Sequence, residues 1–108
     1  MLSPIPRSDI IGMPMIGFGT SFLPLDSISS VISTAIKLGY TSFDCAKIYK
    51  NEPMIGLALE HVKNRQDLFI TSKLWCTDHT PDRVGPACKS TLRDLRLDYL
   101  DLYLVKIF

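Results

Sequence analysis

The stretch Thr41-Ser42-Phe43-Asp44-Cys45-Ala46-Lys47-Ile48-Tyr49-Lys50-Asn51-Glu52-Pro53 decides how this chain is read. Thr41 to Ala46 reads as a strand, short and rich in apolar residues. Asn51 can cap a helix, and Pro53 falls in its first turn, where a missing N–H costs little. Met54, Ile55, Ala58, Leu59 and Val62 then form a buried stripe at helical spacing. A strand that passes through a short polar loop into a helix is one half of a strand–helix–strand unit.

The same alternation extends in both directions. Upstream, Met15 to Thr20 is a short apolar run ended by Gly19, and reads as a strand. Ile10-Ile11-Gly12-Met13-Pro14 before it suits a small N-terminal β-hairpin turning near Gly12. Asp26 can cap a helix whose apolar face is Ile28, Val31, Ile32, Ala35 and Ile36, with Gly39 where a C-terminal glycine belongs. Downstream, Asp67 to Leu74 is a third strand. Thr80-Pro81 opens a third helix with Val84, Ala87, Cys88, Thr91, Leu92 and Leu95 on one face. Gly85-Pro86 fits that helix badly, because an interior proline loses a hydrogen bond and clashes with the preceding turn. Leu100 to Val105 is a fourth strand.

This order predicts an α/β fold with parallel strands joined by right-handed crossovers. Two architectures fit: an open doubly wound sheet, or part of a (β/α)8 TIM barrel. Periodicity does not separate them. A complete barrel needs roughly 200 residues or more, so on the barrel reading the 108 residues are incomplete.

Composition excludes several classes. The chain is 46% hydrophobic and 21% charged with a net charge of +1, ordinary for a globular protein. Near-neutrality gives no electrostatic reason to expect nucleic acid or anionic membrane as partner. No run is long enough to span a bilayer. Met1 to Asp9 lacks an apolar segment and does not read as a signal peptide. Cys45, Cys76 and Cys88 match no zinc or disulfide framework, so the expectation is reduced thiols in a cytoplasmic protein with no metal site.

Active sites of parallel α/β proteins gather at the carboxyl ends of strands. Asp44 lies late in the second strand, Lys73 ends the third, and Tyr49 sits on the loop after the second. A strand-end Asp and a strand-end Lys on neighbouring strands can pair. A nearby ammonium favours phenolate, which suits Tyr49 to general acid chemistry at an oxygen gaining a proton. Each residue also has a plain structural use: the Asp capping a loop, the Lys reaching solvent, the Tyr packing. Gly17 and Gly19 lack the third glycine of a dinucleotide fingerprint. Trp75 could wall a pocket or simply pack. His61 reads as surface and His79 as a loop residue.

In combination these segments resemble the aldo-keto reductase family. Phe43 to Glu52 resembles the family's signature around its catalytic Asp and Tyr, and Asp67 to Trp75 the segment bearing its catalytic Lys. Leu97 to Leu104 is similar to the fourth strand and Met13 to Thr20 to the first. Leu74-Trp75-Cys76-Thr77-Asp78 looks most like plant members. The resemblance implies a partial TIM barrel, about the first four strands and three helices. Residues 1–108 would be the truncated N-terminal half of an NADP-dependent oxidoreductase domain from a monomeric enzyme. It implies NADPH as cofactor, reducing a small-molecule carbonyl substrate. Tyr49 would protonate the nascent alkoxide, tuned by Lys73 and Asp44. Gly19, Thr20 and Asp44 would line the nicotinamide-ribose end of the cofactor site, and Trp75 would flank the substrate.

The chain departs from the family in three places. Lys106 stands at the position of a family His, where an obligate cation cannot replace a neutral imidazole. The stretch His61 to Gln66 is shorter than usual. Everything after the fourth strand is absent, including loops that clamp the cofactor. Because valine codons begin with the GT that opens an intron, Val105 to Phe108 reads as translated intron or a truncated gene product. Two further readings therefore accompany carbonyl reduction. One is an inactive truncated product that associates or aggregates; the other is a non-catalytic, aldo-keto reductase-like binding subunit.

Overall fold

The computed structural model describes residues 13–21 and 23–105. The expected turn near Gly12 and the lysine at the family His position, Lys106, lie outside the described residues.

Four strands form one sheet: β1 (Phe18–Gly19), β2 (Ser42–Asp44), β3 (Phe69–Leu74) and β4 (Leu102–Val105). Three α-helices connect them: α1 (Ile28–Lys37), α2 (Glu52–Leu59) and α3 (Pro81–Leu95). The strands lie in the order β1-β2-β3-β4, every pair parallel. A doubly wound sheet reverses direction at a switch point, whereas a barrel adds each strand beside the last. The unbroken order resolves the question left open by periodicity: the fold is a partial (β/α)8 barrel.

Strand alternation assigns the two faces. Phe43 and Ile70 point into the helix layer and are fully buried with Ile28, Ile32, Ile55 and Leu95. Ser42, Asp44 and Thr71 point the other way, to the concave face, where with Gly17, Gly19 and Leu104 they line a cavity of about 330 Å³. Helix α2 packs on both α1 and α3. Its closest approach is at Gly56, where a side chain would meet the backbone of Asp94 and Leu95.

The strands are shorter than the sequence suggests, and one cap differs. The first strand holds only Phe18–Gly19, and the second stops at Asp44, where the chain turns toward the site. Helix α1 starts after Ser27 rather than Asp26, with no side-chain cap. It ends as expected at Gly39, whose φ of 100° suits glycine alone. There Gly39 N–H donates to the Ile36 carbonyl and Tyr40 N–H to the Ala35 carbonyl, closing the helix. Pro86 does lie inside α3. Its surroundings, Asp82 to Pro86, are exposed, so water can take the carbonyl that proline leaves unbonded. The expected apolar face of α3 is buried only from Thr91 onward, at Thr91 and Leu95. No helix of the described residues is long and apolar enough to cross a membrane.

Candidate active site

The carboxyl ends of β2 and β3 bring the three expected residues together. Lys73 forms an ion pair with the Asp44 carboxylate. Its Nζ also donates to the Cys45 carbonyl at 3.0 Å and to the Tyr49 hydroxyl at 3.5 Å, and stands 5.2 Å from the Tyr49 ring centroid. The parallel register sets Asp44 beside Thr71, two residues before Lys73. Both Thr71 and Lys73 share the concave face, so the lysine lies over the aspartate. Tyr49 is carried by a single 3-10 turn, Lys47–Tyr49, closed by Lys50 in the left-handed region at φ 57°.

The charges have a defined environment. Burial works against the Lys73 ammonium, but the hydrogen bond and charge of Asp44, then Tyr49, outweigh it and hold the ammonium above its usual range. The lysine side chain is 11% exposed, whereas Asp44 is 51% exposed. The site is thus a sheltered cation against an open carboxylate and a phenol hydroxyl. Beside it the Cys45 thiol is pushed up to about 12 by burial, then by Glu52. It is a core residue and no candidate nucleophile.

The remaining expected residues divide. Gly19 borders the concave cavity, and nothing lies within 4 Å of where its Cβ would be. Thr20 is fully buried, and its hydroxyl donates to the Asp44 carbonyl at 2.8 Å. It braces the end of β2 from behind and presents no free hydroxyl. Trp75 follows β3 directly, but the cavity it lines, about 400 Å³, is bounded by Lys47, Arg83, Ser90 and Tyr103 and contains none of Asp44, Tyr49 or Lys73.

The model of the aldo/keto reductase family matches residues 10–108. The chain belongs to this family. It is 47% identical over 102 residues to a 7-acetyl-epi-neemfruitin B aldo-keto reductase of Melia azedarach, covering 88% of this chain and 32% of that protein. Human aldo-keto reductase family 1 member A1 is 46% identical over 99 residues, with coverages of 86% and 30%. Plant and animal relatives thus match about equally, and the plant-like stretch after Leu74 does not separate them. Among solved structures, aldose reductase of Schistosoma japonicum superposes with a TM-score of 0.85 at 42% identity, covering 96% of this chain and 36% of that one. Bombyx mori aldo-keto reductase in complex with NADP gives 0.87 at 30% identity, with coverages of 96% and 38%. The chain spans about a third of the length of the curated relatives it matches.

Sequence reasoning missed two buried polar side chains beside the site, Asn51 and Glu52. Asn51 begins α2 as expected but makes no side-chain cap bond. Its amide donates instead to the Thr20 carbonyl at 2.7 Å. Glu52 lies three residues before Ile55 and seven before Leu59, on the buried stripe of α2. That spacing was available in the sequence and marks a carboxyl on an apolar face.

Proposed function

We propose that this chain carries the proton-delivering part of an NADPH-dependent carbonyl reductase, with Tyr49 as general acid. The observation that supports it is the convergence of Lys73 on Asp44, the Cys45 carbonyl and the Tyr49 hydroxyl at the strand ends. A carbonyl oxygen becoming an alkoxide needs a proton at close range. The Tyr49 hydroxyl holds one. The Lys73 ammonium stabilises the phenolate left behind, and Asp44 keeps that ammonium charged and aimed.

The concave face fits a nicotinamide ribose: it offers an open approach at Gly19 and the half-exposed carboxylate of Asp44. NADPH, when bound, supplies the hydride. Gly19 and Asp44 would hold its ribose end. Thr20, spent on Asp44, would support rather than touch it, and Trp75, on the neighbouring cavity, would meet only a part of the substrate that extends beyond the Tyr49 hydroxyl. Relatives point the same way: one is described as an NADP-dependent D-sorbitol-6-phosphate dehydrogenase of Malus domestica, 45% identical over 109 residues.

The test places residues 13–104 in the matching segment of the human relative and follows aldehyde-dependent NADPH consumption. Turnover that is lost in Lys73→Met and Tyr49→Phe supports the reading; unchanged turnover in either variant removes it.

A second reading is favoured by the sheet edges. Met15, Ile16, Leu104 and Val105 are 74%, 56%, 41% and 63% exposed, and among the described residues β1 and β4 each pair on one side only. Such edges associate. On this reading the 108 residues alone are an inactive, self-associating or partner-binding chain.

A further inference from the structure

Asn51 and Glu52 are each 1% exposed, and the reaction proposed above uses neither. Both reach out of α2. Asn51 Nδ2 donates to the Thr20 carbonyl, and Thr20 in turn donates to the Asp44 carbonyl. Glu52 Oε2 accepts from the Ser72 hydroxyl at 2.5 Å, and Oε1 from the Thr91 hydroxyl at 3.0 Å. Ser72 is the residue before Lys73. One contact therefore ends beside Asp44 and the other beside Lys73, and the chain just before them carries Tyr49.

The Tyr49 turn needs such anchoring. It consists of one 3-10 turn, and its closing residue, Lys50, adopts a left-handed conformation that a non-glycine residue holds only when its surroundings dictate it. Asn51 and Glu52, buried and hydrogen-bonded, come directly after it. A carboxyl in this place brings little stability, because burial pushes Glu52 up from the usual carboxylate range despite its two hydroxyl donors. Glu52, Ser72 and Thr91 are all buried and satisfy one another, so the three polar groups together fix geometry rather than add net stability.

We propose that Asn51 and Glu52 are positioning residues that pin the end of the Tyr49 turn to Thr20, just past β1, and to Ser72 in β3, and so fix the phenol against Lys73 and Asp44. The purpose rests on reading Tyr49 as proton donor; the anchoring does not.

Amide hydrogen exchange on the full chain tests it without any turnover. The Tyr49 and Lys50 amides donate to the Ala46 and Lys47 carbonyls, and the Phe69 amide donates to the Thr41 carbonyl in the sheet. In Glu52→Ala and Ser72→Ala the Tyr49 and Lys50 amides should exchange about tenfold faster, with Phe69 unchanged. Glu52→Gln, whose amide oxygen accepts from one hydroxyl while its amide nitrogen donates to the other, should restore the wild-type rates. Asn51→Ala should act on the same two amides. Uniform acceleration across sheet and helices would make the pair ordinary stabilising residues and overturn the proposal, as would unchanged rates at Tyr49. If Glu52→Ala fails to fold, the smaller excisions Ser72→Ala and Asn51→Ala decide. A chain that reduces no carbonyl would end the proposed reaction and leave this result intact.

Discussion

Replacing Gly56 by alanine sets two physical effects against each other. Gly56 lies inside α2, where helix propensity alone favours alanine by about 1 kcal/mol. Packing opposes it. A Cβ at Gly56 would stand 2.3 Å from the Asp94 carbonyl oxygen and 3.0 and 3.1 Å from Leu95 C and Cα. Ordinary contact is about 3.5 Å, and these atoms are backbone, which cannot rotate away. The helices must part by about 1 Å, a gap that forfeits roughly a quarter to a half of each dispersion contact across the seam. Overpacking of this kind costs about 1–3 kcal/mol and occasionally more. The Glu52–Thr91 bond spans the same seam and would stretch with it. Set against the propensity gain, we expect Gly56→Ala to lose about 2 kcal/mol net, so that with m of about 1–3 kcal/mol/M the urea midpoint falls by about 0.7–2 M. A midpoint that stays or rises would mean propensity had won, and would refute the close α2–α3 contact.

Other outcomes follow from the charges and edges. Native Cys45 keeps its proton up to about 12 while the unfolded thiol loses it near 9.0, so stability should fall as pH rises through that interval. Urea midpoints at about pH 8 and pH 10 should converge in Cys45→Ala relative to wild type. Glu52 likewise binds its proton more tightly when folded, so its contribution is present below the usual carboxylate value and is lost as pH rises from there through its raised folded value. Glu52→Gln should therefore match or exceed wild-type stability at neutral pH by thermal unfolding, and a clear loss there would contradict the burial argument. The 108 residues alone should elute as oligomers and consume no NADPH; a monodisperse, active monomer would remove the reading of unpaired edges.

Much of this fold could be read along the chain because each segment announces its own period. The stripes of α1 and α2 and the capping Gly39 are local signals and appear where expected, except that α2 ends at Leu59 and leaves Val62 beyond it. What could not be read is what neighbours decide. Strand order needs the sheet, and only the consecutive pairing distinguished barrel from doubly wound architecture. The bond from the Thr20 hydroxyl to the Asp44 carbonyl depends on β1 and β2 lying side by side, which no local signal gives. Trp75 follows Lys73 closely in sequence yet borders a different cavity. Asp44, Tyr49 and Lys73 were legible as a set because strand ends in a parallel sheet converge by construction.

The central claim is that Tyr49 delivers the proton under the influence of Lys73. Single-turnover hydride transfer, with residues 13–104 in a complete barrel and NADPH prebound, measures it most directly. Tyr49→Phe should slow the chemical step by about a thousandfold, within the range of a lost general acid, while NADPH affinity stays at the wild-type value. A rate within a few-fold of wild type, with the cofactor bound, would contradict the account.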